Sequence, residues 1–309
     1  MIQIFNSKKF PDFIGDIHGH LDSLVRLLKK LGYKKKDDIY FHNSRIPIFL
    51  GDYINRGPDV FGVLKLVREM QISGNAYAIM GNHEFNFLAY HYKSVEGVPF
   101  RPNTERYLGY IRETKEPLER NGQLEIYLDW ISSLPLIVKN DFFNAAHAEW
   151  SEELELKIST SKIQKLDQNG IRSIHIDSEL LASVSSIIRG SEFEITKDFL
   201  KKYNFIYRQE KERIVWWRKN RTNQIKDWLV VDSSNHEILV DTIDFHMIDD
   251  LNKFNKPVFF GHYWLSPLNF GLLSDTICCL DFSVANGGFI GAYQFNNEEK
   301  LISKNLFHS

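Results

Sequence analysis

Six side chains of types that bind metal ions recur directly after short apolar runs along this chain. By motif they are Asp16 and His18 in GDIHGH, Asp52 in GDYINRG, Asn82 in GNHE, His147 in AAHAEW, and His262 in GHYW. Carboxylate and amide oxygens and imidazole nitrogens are ligands that Mn, Fe and Zn accept. Six donors exceed the four that close a structural zinc site. They suit two adjacent ions that share one carboxylate and leave positions open for water.

An ordinary structural role is the alternative for each of these residues taken alone. An Asp or His near a strand end commonly caps a turn or satisfies a nearby backbone group. Five clusters that all follow an apolar run, most of them in glycine-bearing turns, favour a joint metal site over a set of unrelated caps.

The elements between the motifs alternate between two periods. Leu21 to Leu31 and Val60 to Met70 repeat at helical spacing and end near Gly32 and Gly74, whereas Ile46–Leu50 and Tyr77–Met80 are short apolar runs typical of strands. This alternation predicts βαβ units around a buried sheet. Ligands of such sheets collect at the carboxyl ends of the strands, so we expect the polar clusters to converge there.

The rest of the chain is less regular. Residues 91–135 are predicted to be mainly helical, with breaks at Pro99, Pro102 and Pro117, and residues 151–255 show no clear pattern. Strands are predicted again near 258–260, 277–281 and 289–295. We expect a single domain over residues 1–309, with an insertion of about residues 151–214 in its middle.

Composition narrows the class of protein. Among 309 residues, 43% are apolar and 25% charged, with a formal net charge of -2, so whole-chain charge gives no reason to expect nucleic acid or an anionic membrane as a partner. Cys278 and Cys279 are adjacent and poorly placed to bridge each other, which predicts a reducing compartment. No signal peptide or membrane span is recognised, so we expect a cytoplasmic protein with no membrane partner.

Taken together, GDIHGH, GDYINRG, GNHE, the later His147 and the GH of GHYW resemble the calcineurin-like metallophosphoesterases. The similarity is greatest to the branch that contains serine/threonine protein phosphatases and symmetrical diadenosine tetraphosphatases. The resemblance implies an α/β fold, a four-layer αββα sandwich with two mixed sheets. It also implies two divalent metal ions, with Mn expected and Fe or Zn as alternatives.

The same resemblance implies a role for each motif residue. Asp16, His18 and His262 would hold one metal, Asn82 and His147 the other, and Asp52 would bridge the two. His83 would be the general acid and Arg56 a bidentate phosphate clamp. The structural alternatives are a solvated loop histidine at 83 and an ordinary ion pair at Arg56.

Three further residues carry expectations. Asn55 stands where the family commonly has an acidic residue that supports the general acid, so we expect a lower pKa for His83 and a preference for leaving groups that need less protonation. Asp281 is expected to be structural or to support His262. Arg218, with Arg221 next, is the candidate for a second phosphate-binding arginine. The basic, aromatic stretch 197–226 suggests either a nucleotide platform or a buried aromatic stripe.

The sequence therefore predicts a metal-dependent phosphatase, with a phosphomonoester as the first substrate class and a phosphoprotein among the candidates. A dinucleoside polyphosphate hydrolase is the close alternative, and nucleic acid remains a less favoured substrate. A non-catalytic metal-binding regulator is the alternative of another class. The expected partners are a phosphorylated small molecule, a nucleotide or a phosphoprotein.

Overall fold

The computed structural model describes residues 1–101, 104–194, 211–218, 228–230 and 254–309. The helices in these ranges are α1 Leu21–Lys30, α2 Val60–Ile72, α3 Asn82–His91, α4 Glu105–Arg120, α5 Leu124–Ser132, α6 Glu152–Thr160, α7 Gln168–Ile176 and α8 Ser178–Arg189. The strands are β1 Ile2–Ile4, β2 Phe10–Ile14, β3 Lys34–Lys36, β4 Ile39–Phe41, β5 Arg45–Phe49, β6 Tyr77–Ala78, β7 Ile137–Lys139, β8 Asn144–Ala146, β9 Glu192–Glu194, β10 Lys211–Arg213, β11 Val258–Phe260, β12 Ile277–Cys279, β13 Asp281–Phe282, β14 Phe289–Gln294 and β15 Leu306–His308.

Two mixed sheets carry the fold. In the first, β2, β5 and β6 are parallel neighbours, β14 pairs antiparallel with β2, and β13 and β15 pair with β14. The second sheet has the order β1-β7-β8-β11-β12, in which only β7 and β8 are antiparallel. The βαβ units predicted for the first 90 residues form the parallel part of the first sheet.

The two sheets pack face to face through an apolar layer. Phe13 of β2 stacks on Phe259 of β11, with ring centroids 3.6 Å apart and planes 9° from parallel. The neighbouring residues Ile14 and Phe260 point to the opposite faces, where they join a second apolar cluster that includes the buried faces of the helices. Removing a fully buried ring such as that of Phe13 costs about 3–5 kcal/mol.

Helices cover both outer faces, which completes four layers and confirms the predicted αββα sandwich. Helix α1 contacts β14 and α2 contacts β6 of the first sheet, whereas α6 contacts β1 of the second. Helix α1 ends as predicted before Gly32, whose φ of 91° suits glycine. Helix α2 begins at Asp59, whose side chain accepts the backbone N–H of Gly62.

The predicted break at Pro117 is wrong. Helix α4 runs through Pro117 and ends at Arg120. The proline lies near the end of the helix, where its fixed φ fits the helical backbone and only one helical hydrogen bond is lost. The side chain and backbone of Asn121 both donate to the Pro117 carbonyl and close the end.

Residues 151–255, which show no clear sequence pattern, contain helices α6, α7 and α8. Ile158, Ile171 and Val184 from these helices belong to the same apolar cluster as the outer face of the second sheet. These helices therefore share the core of the molecule, and whether residues 151–214 are an insertion stays a prediction. Within the described ranges, no helix combines the length and the apolar character needed to cross a membrane.

Candidate metal centre

The polar clusters meet at one edge of the sandwich. Asp16 and His18 follow β2, Asp52 follows β5, and Asn82 opens α3 after β6, so four ligand candidates come from the first sheet. His147 directly follows β8 and His262 follows β11, so two come from the second. The structure thus brings together all six predicted metal-binding residues, which span nearly the whole chain.

Asp52 lies at the centre of this cluster, and its two carboxylate oxygens face different histidines. Oδ2 lies 3.6 Å from Nε2 of His18, and Oδ1 lies 3.4 Å from Nε2 of His147. In the described part of the chain, two groups of side chains could hold a metal ion: His18, Asp52 and His83, and Asp52, His147 and His262. Asp52 is the residue that both groups share.

The remaining candidates divide between these two groups. Oδ1 of Asn82 lies 2.8 Å from Nδ1 of His262 and 3.2 Å from Nε2 of His147. Oδ2 of Asp16 lies 4.0 Å from Nε2 of His18. The ring of His262 therefore lies with Asn82 and His147, which differs from the expected grouping of His262 with Asp16 and His18. Only the backbone N–H of His262 contacts Asp16, at 3.1 Å from Oδ1.

Backbone carbonyls orient two of the histidines. Nδ1 of His18 lies 3.1 Å from the Ile54 carbonyl, and Nδ1 of His147 lies 2.7 Å from the Leu50 carbonyl. A neutral imidazole that donates through Nδ1 carries its free electron pair on Nε2, and in both residues Nε2 faces Asp52. This arrangement is typical of histidines that ligate metals.

The backbone at the site adopts left-handed conformations that L-residues generally avoid. The φ angles are 44° at His18, 52° at Asp52 and 70° at His262. Each such residue costs roughly 1–2 kcal/mol, and clusters of this kind are typical of functional sites. Two glycines also allow close approach: a Cβ at Gly81 would lie 2.2 Å from Oδ1 of Asp52, and one at Gly261 would lie 2.0 Å from Oδ1 of Asp16.

Glu84 holds two of the motifs together. Its buried carboxylate accepts the backbone N–H groups of Asp52 and Gly81 through Oε2, and those of Tyr53 and Ile54 through Oε1, at 2.9–3.2 Å. Burial raises its pKa to about 7. The sequence signal for this structural role is the place of Glu84 three residues after Gly81 at a helix start, which is that of a capping box.

Two of the three ligand histidines are neutral at ordinary pH, and the third is protonated. Burial lowers the pKa of His18 to about 4 and holds that of His262 well below its usual value, so both are neutral and can ligate. Burial opposes protonation of His147 as well, but the Asp52 carboxylate outweighs it and raises the pKa of His147 to about 10. Metal binding there would release a proton. Two carboxylates, one amide and three imidazoles thus fit two divalent cations.

His83 and Asn55 form a buried pair beside this centre. Nδ1 of His83 lies 2.7 Å from Nδ2 of Asn55, and the Thr114 hydroxyl donates to Oδ1 of Asn55 at 2.7 Å. With Thr114 bonded to the amide oxygen, Asn55 donates its N–H to Nδ1, and the His83 proton is on Nε2. Burial lowers the pKa of His83 to about 3. Burial is the largest cause of this shift, so the effect of Asn55 on the pKa of His83 stays a prediction.

Arg56 lies at the mouth of the site. Its guanidinium lies 4.2 Å from the centre of the Trp264 ring and its Nη1 lies 3.3 Å from Nε2 of His18. In the described ranges no carboxylate lies within 4 Å of this guanidinium, so the alternative of an ordinary ion pair is not observed there. Arg56 and Arg213 both line a cavity beside the ligand candidates Asn82 and His262. Arg213 also donates from Nη1 to the His262 carbonyl at 2.9 Å.

The remaining predicted residues are Arg218, Arg221, Asp281 and the stretch 197–226. Arg218 is exposed and is not among the cavity-lining residues, so its role stays a prediction, and Arg221 lies outside the described residues. Asp281 accepts the backbone N–H groups of Trp264 and Ser283 at 2.8 and 3.0 Å, and so holds the loop after His262. Of the stretch 197–226 only residues 211–218 are described, and there Trp216 is buried against Phe260.

Comparison with known proteins agrees with this geometry. The family model for calcineurin-like phosphoesterases matches residues 12–262, and the chain belongs to that family. An asymmetrical bis(5'-nucleosyl)-tetraphosphatase PrpE of Oceanobacillus iheyensis is 49% identical over 73 residues, which are 23% of this chain and 29% of the relative. A symmetrical bis(5'-nucleosyl)-tetraphosphatase of Actinobacillus succinogenes is 31% identical over 133 residues, covering 43% of this chain and 40% of the relative.

Each of these alignments spans well under half of the relative's own length. Among solved structures, a cold-active protein-tyrosine phosphatase of a psychrophilic Shewanella is similar over 99% of this chain and 81% of that chain. The TM-score is 0.51 and the sequence identity 17%, so this likeness concerns the fold alone.

Proposed function

We propose that this protein is a metal-dependent phosphoesterase that hydrolyses the phosphoanhydride chain of a dinucleoside polyphosphate. The central position of Asp52, with one carboxylate oxygen toward each ligand group, is the observation that carries the two-metal assignment. The names of the relatives favour the dinucleotide over the phosphomonoester that the sequence first suggested. Those relatives include both symmetrical and asymmetrical enzymes, so the proposal does not fix the bond cleaved.

In this proposal Asp16 and His18 would hold one divalent ion, Asn82, His147 and His262 would hold the other, and Asp52 would be shared by both. Manganese is the metal we expect. When bound, such a pair lowers the pKa of a shared water molecule and neutralises charge on the phosphoryl oxygens.

The other residues act on the substrate. The Arg56 guanidinium, held over Trp264, binds the non-bridging oxygens of the reacting phosphoryl group. His83 presents Nε2 toward the same space, 4.0 Å from Oδ2 of Asp52, and donates its proton or a hydrogen bond to the leaving oxygen. Glu84 acts through the backbone, because it fixes the loops that carry Asp52 and Asn82.

The test is phosphate or nucleotide release, with added manganese, from diadenosine tetraphosphate, an aryl phosphate and a phosphopeptide. We expect diadenosine tetraphosphate to give the highest kcat/KM. Asp52→Asn should lower kcat more than about 100-fold, since loss of even an outer partner of a metal ligand costs 10–100-fold. It should also lower the metal content below two ions per chain. Asp129→Asn is the matched control, because Asp129 is exposed on α5.

Equal activity and metal content in the two variants would contradict the two-metal assignment. Highest activity on the phosphopeptide or the aryl phosphate would contradict the substrate class and favour a phosphomonoesterase. The wild type could also bind metal and yet hydrolyse none of the three substrates faster than Asp52→Asn does. That result would favour the non-catalytic metal-binding regulator.

A further inference from the structure

A cavity of about 660 Å³ extends from the metal centre along helix α3. Its lining includes three residues of this helix that are spaced four positions apart: Asn82, Asn86 and Tyr90. Side chains at this spacing lie on one face of a helix, about one turn of 5.4 Å apart. The cavity therefore reaches about two helical turns beyond the metal-ligand candidate Asn82.

Two arginines that no motif contains lie along this extension. Arg189, the last residue of α8, donates from Nη2 to Oδ1 of Asn86 at 2.6 Å. The guanidinium of Arg101 lies 4.3 Å from the centre of the Tyr107 ring, and both residues line the cavity. Burial and, second to it, the nearby positive charge of Arg101 lower the pKa of Arg189 to about 10. The two cations are therefore close enough to repel each other.

In the described part of the chain these two cations have no carboxylate in direct contact, although the nearby charge of Glu192 acts on Arg189. Among the residues that the structure describes, no carboxylate lies within 4 Å of either guanidinium, and Nε of Arg101 is buried without a hydrogen-bond partner. The cavity lining holds five Lys or Arg side chains and one acidic one, Glu192, in a chain of net charge -2. Paired guanidinium groups match the geometry and charge of a phosphate group.

We propose that Arg101 and Arg189 together bind a second phosphoryl group of the substrate, farther along the phosphate chain than the group that is hydrolysed. This inference rests on the proposed function and narrows it. The substrate must carry linked phosphates, and a phosphomonoester would leave this arginine pair empty. Asn86 orients Arg189 one helical turn from Asn82, so the subsite and the metal centre share α3 as a common support.

The test compares Arg101→Gln and Arg189→Gln with wild type in two measurements. The first is the ratio of kcat/KM for diadenosine tetraphosphate to that for an aryl phosphate. The second is the Kd of inorganic tripolyphosphate, titrated calorimetrically in the presence of a metal chelator. We expect each variant to lower the ratio about tenfold or more and to weaken the Kd to a similar extent, which is the loss of one charged hydrogen bond. Arg112→Gln, on the exposed side of α4, is the matched control.

A ratio and a Kd within twofold of wild type in both variants would overturn the proposal. Since Arg189→Gln also removes the bond to Asn86, Arg101→Gln provides a second variant, and thermal melting shows that each is folded. If wild type hydrolyses nothing above the Asp52→Asn level, the proposed function fails. The tripolyphosphate titration then still decides whether the arginine pair binds phosphate.

Discussion

His83 differs from His18 and His147 in the group that orients it. His18 and His147 direct Nδ1 to backbone carbonyls, whereas Nδ1 of His83 accepts an N–H from Asn55. The Thr114 hydroxyl fixes the orientation of that amide. A histidine held in this way donates as a neutral imidazole, which is a weaker acid than imidazolium. Leaving groups that are stable as anions, such as a nucleotide phosphate or an aryl oxide, need the least help from it.

Replacing this amide by a carboxylate should change the leaving-group preference. In Asn55→Asp the ionised carboxylate would accept a hydrogen bond from the Nδ1–H of His83 and stabilise imidazolium. We expect the ratio of alkyl to aryl phosphate turnover, measured as kcat/KM, to rise about tenfold, which is a part of the roughly 10²–10⁴-fold that general acid catalysis contributes. Asn121→Asp, at the exposed end of α4, is the control. An unchanged ratio in Asn55→Asp would contradict this account of His83.

At the scale of elements, helix α8 depends on a cap that also ends α7. The Asp177 carboxylate accepts the backbone N–H groups of Glu179 and Leu180, at 3.1 and 3.0 Å. Helix α8 then buries Val184 and Ile187 and ends at Arg189 in the cavity. A cap at one end of this helix therefore helps to position a cation at the other.

Loss of this cap should be measurable as stability. Asp177→Ala is expected to lower the free energy of unfolding by about 1 kcal/mol, because two backbone donors lose their acceptor. Asp177→Asn, which can still accept these bonds, is expected to keep most of that stability. Urea unfolding of the three proteins measures the difference. Equal losses in the Ala and Asn variants would show that charge, and not capping, is what Asp177 contributes.

The elements also show how far the sequence predicts this fold and site. The strands before Asp16, Asp52 and Asn82 are recognisable because short apolar runs alternate with helical periodicity. Helices α6 to α8 are not, because their short apolar faces are interrupted by polar residues and only tertiary packing defines them. Arg101 and Arg189 are likewise unpredictable, since each is an isolated charge outside any motif and the partner of Arg189, Asn86, lies 103 residues away in sequence.

At the scale of the whole molecule, the stability should depend on pH through Asp12. This carboxyl is buried on β2, where Arg45 and Tyr33 contact it, yet burial outweighs both and raises its pKa to about 6. Between pH 3.8 and 6 the folded protein therefore binds more protons at Asp12 than the unfolded chain does. The contribution of Asp12 to the free energy of unfolding accordingly falls as pH rises through this window.

Comparison with Asp12→Asn isolates this contribution. We expect the free energy of unfolding of wild type, relative to that of Asp12→Asn, to fall between pH 4 and pH 7 by up to about 3 kcal/mol. Urea unfolding at both pH values measures it, with Asp129→Asn as an exposed control. If wild type and Asp12→Asn differ equally at pH 4 and pH 7, the pKa of Asp12 is not raised in the folded protein.

The connectivity of the first sheet also has a consequence during synthesis. Strand β2 emerges from the ribosome long before its antiparallel neighbour β14, which ends at Gln294. At 5–20 residues per second, translation of the intervening chain takes on the order of tens of seconds. For that interval one edge of β2 has no partner strand, and His262 arrives only near its end. Until β14 is made, that edge is open to pairing with another chain.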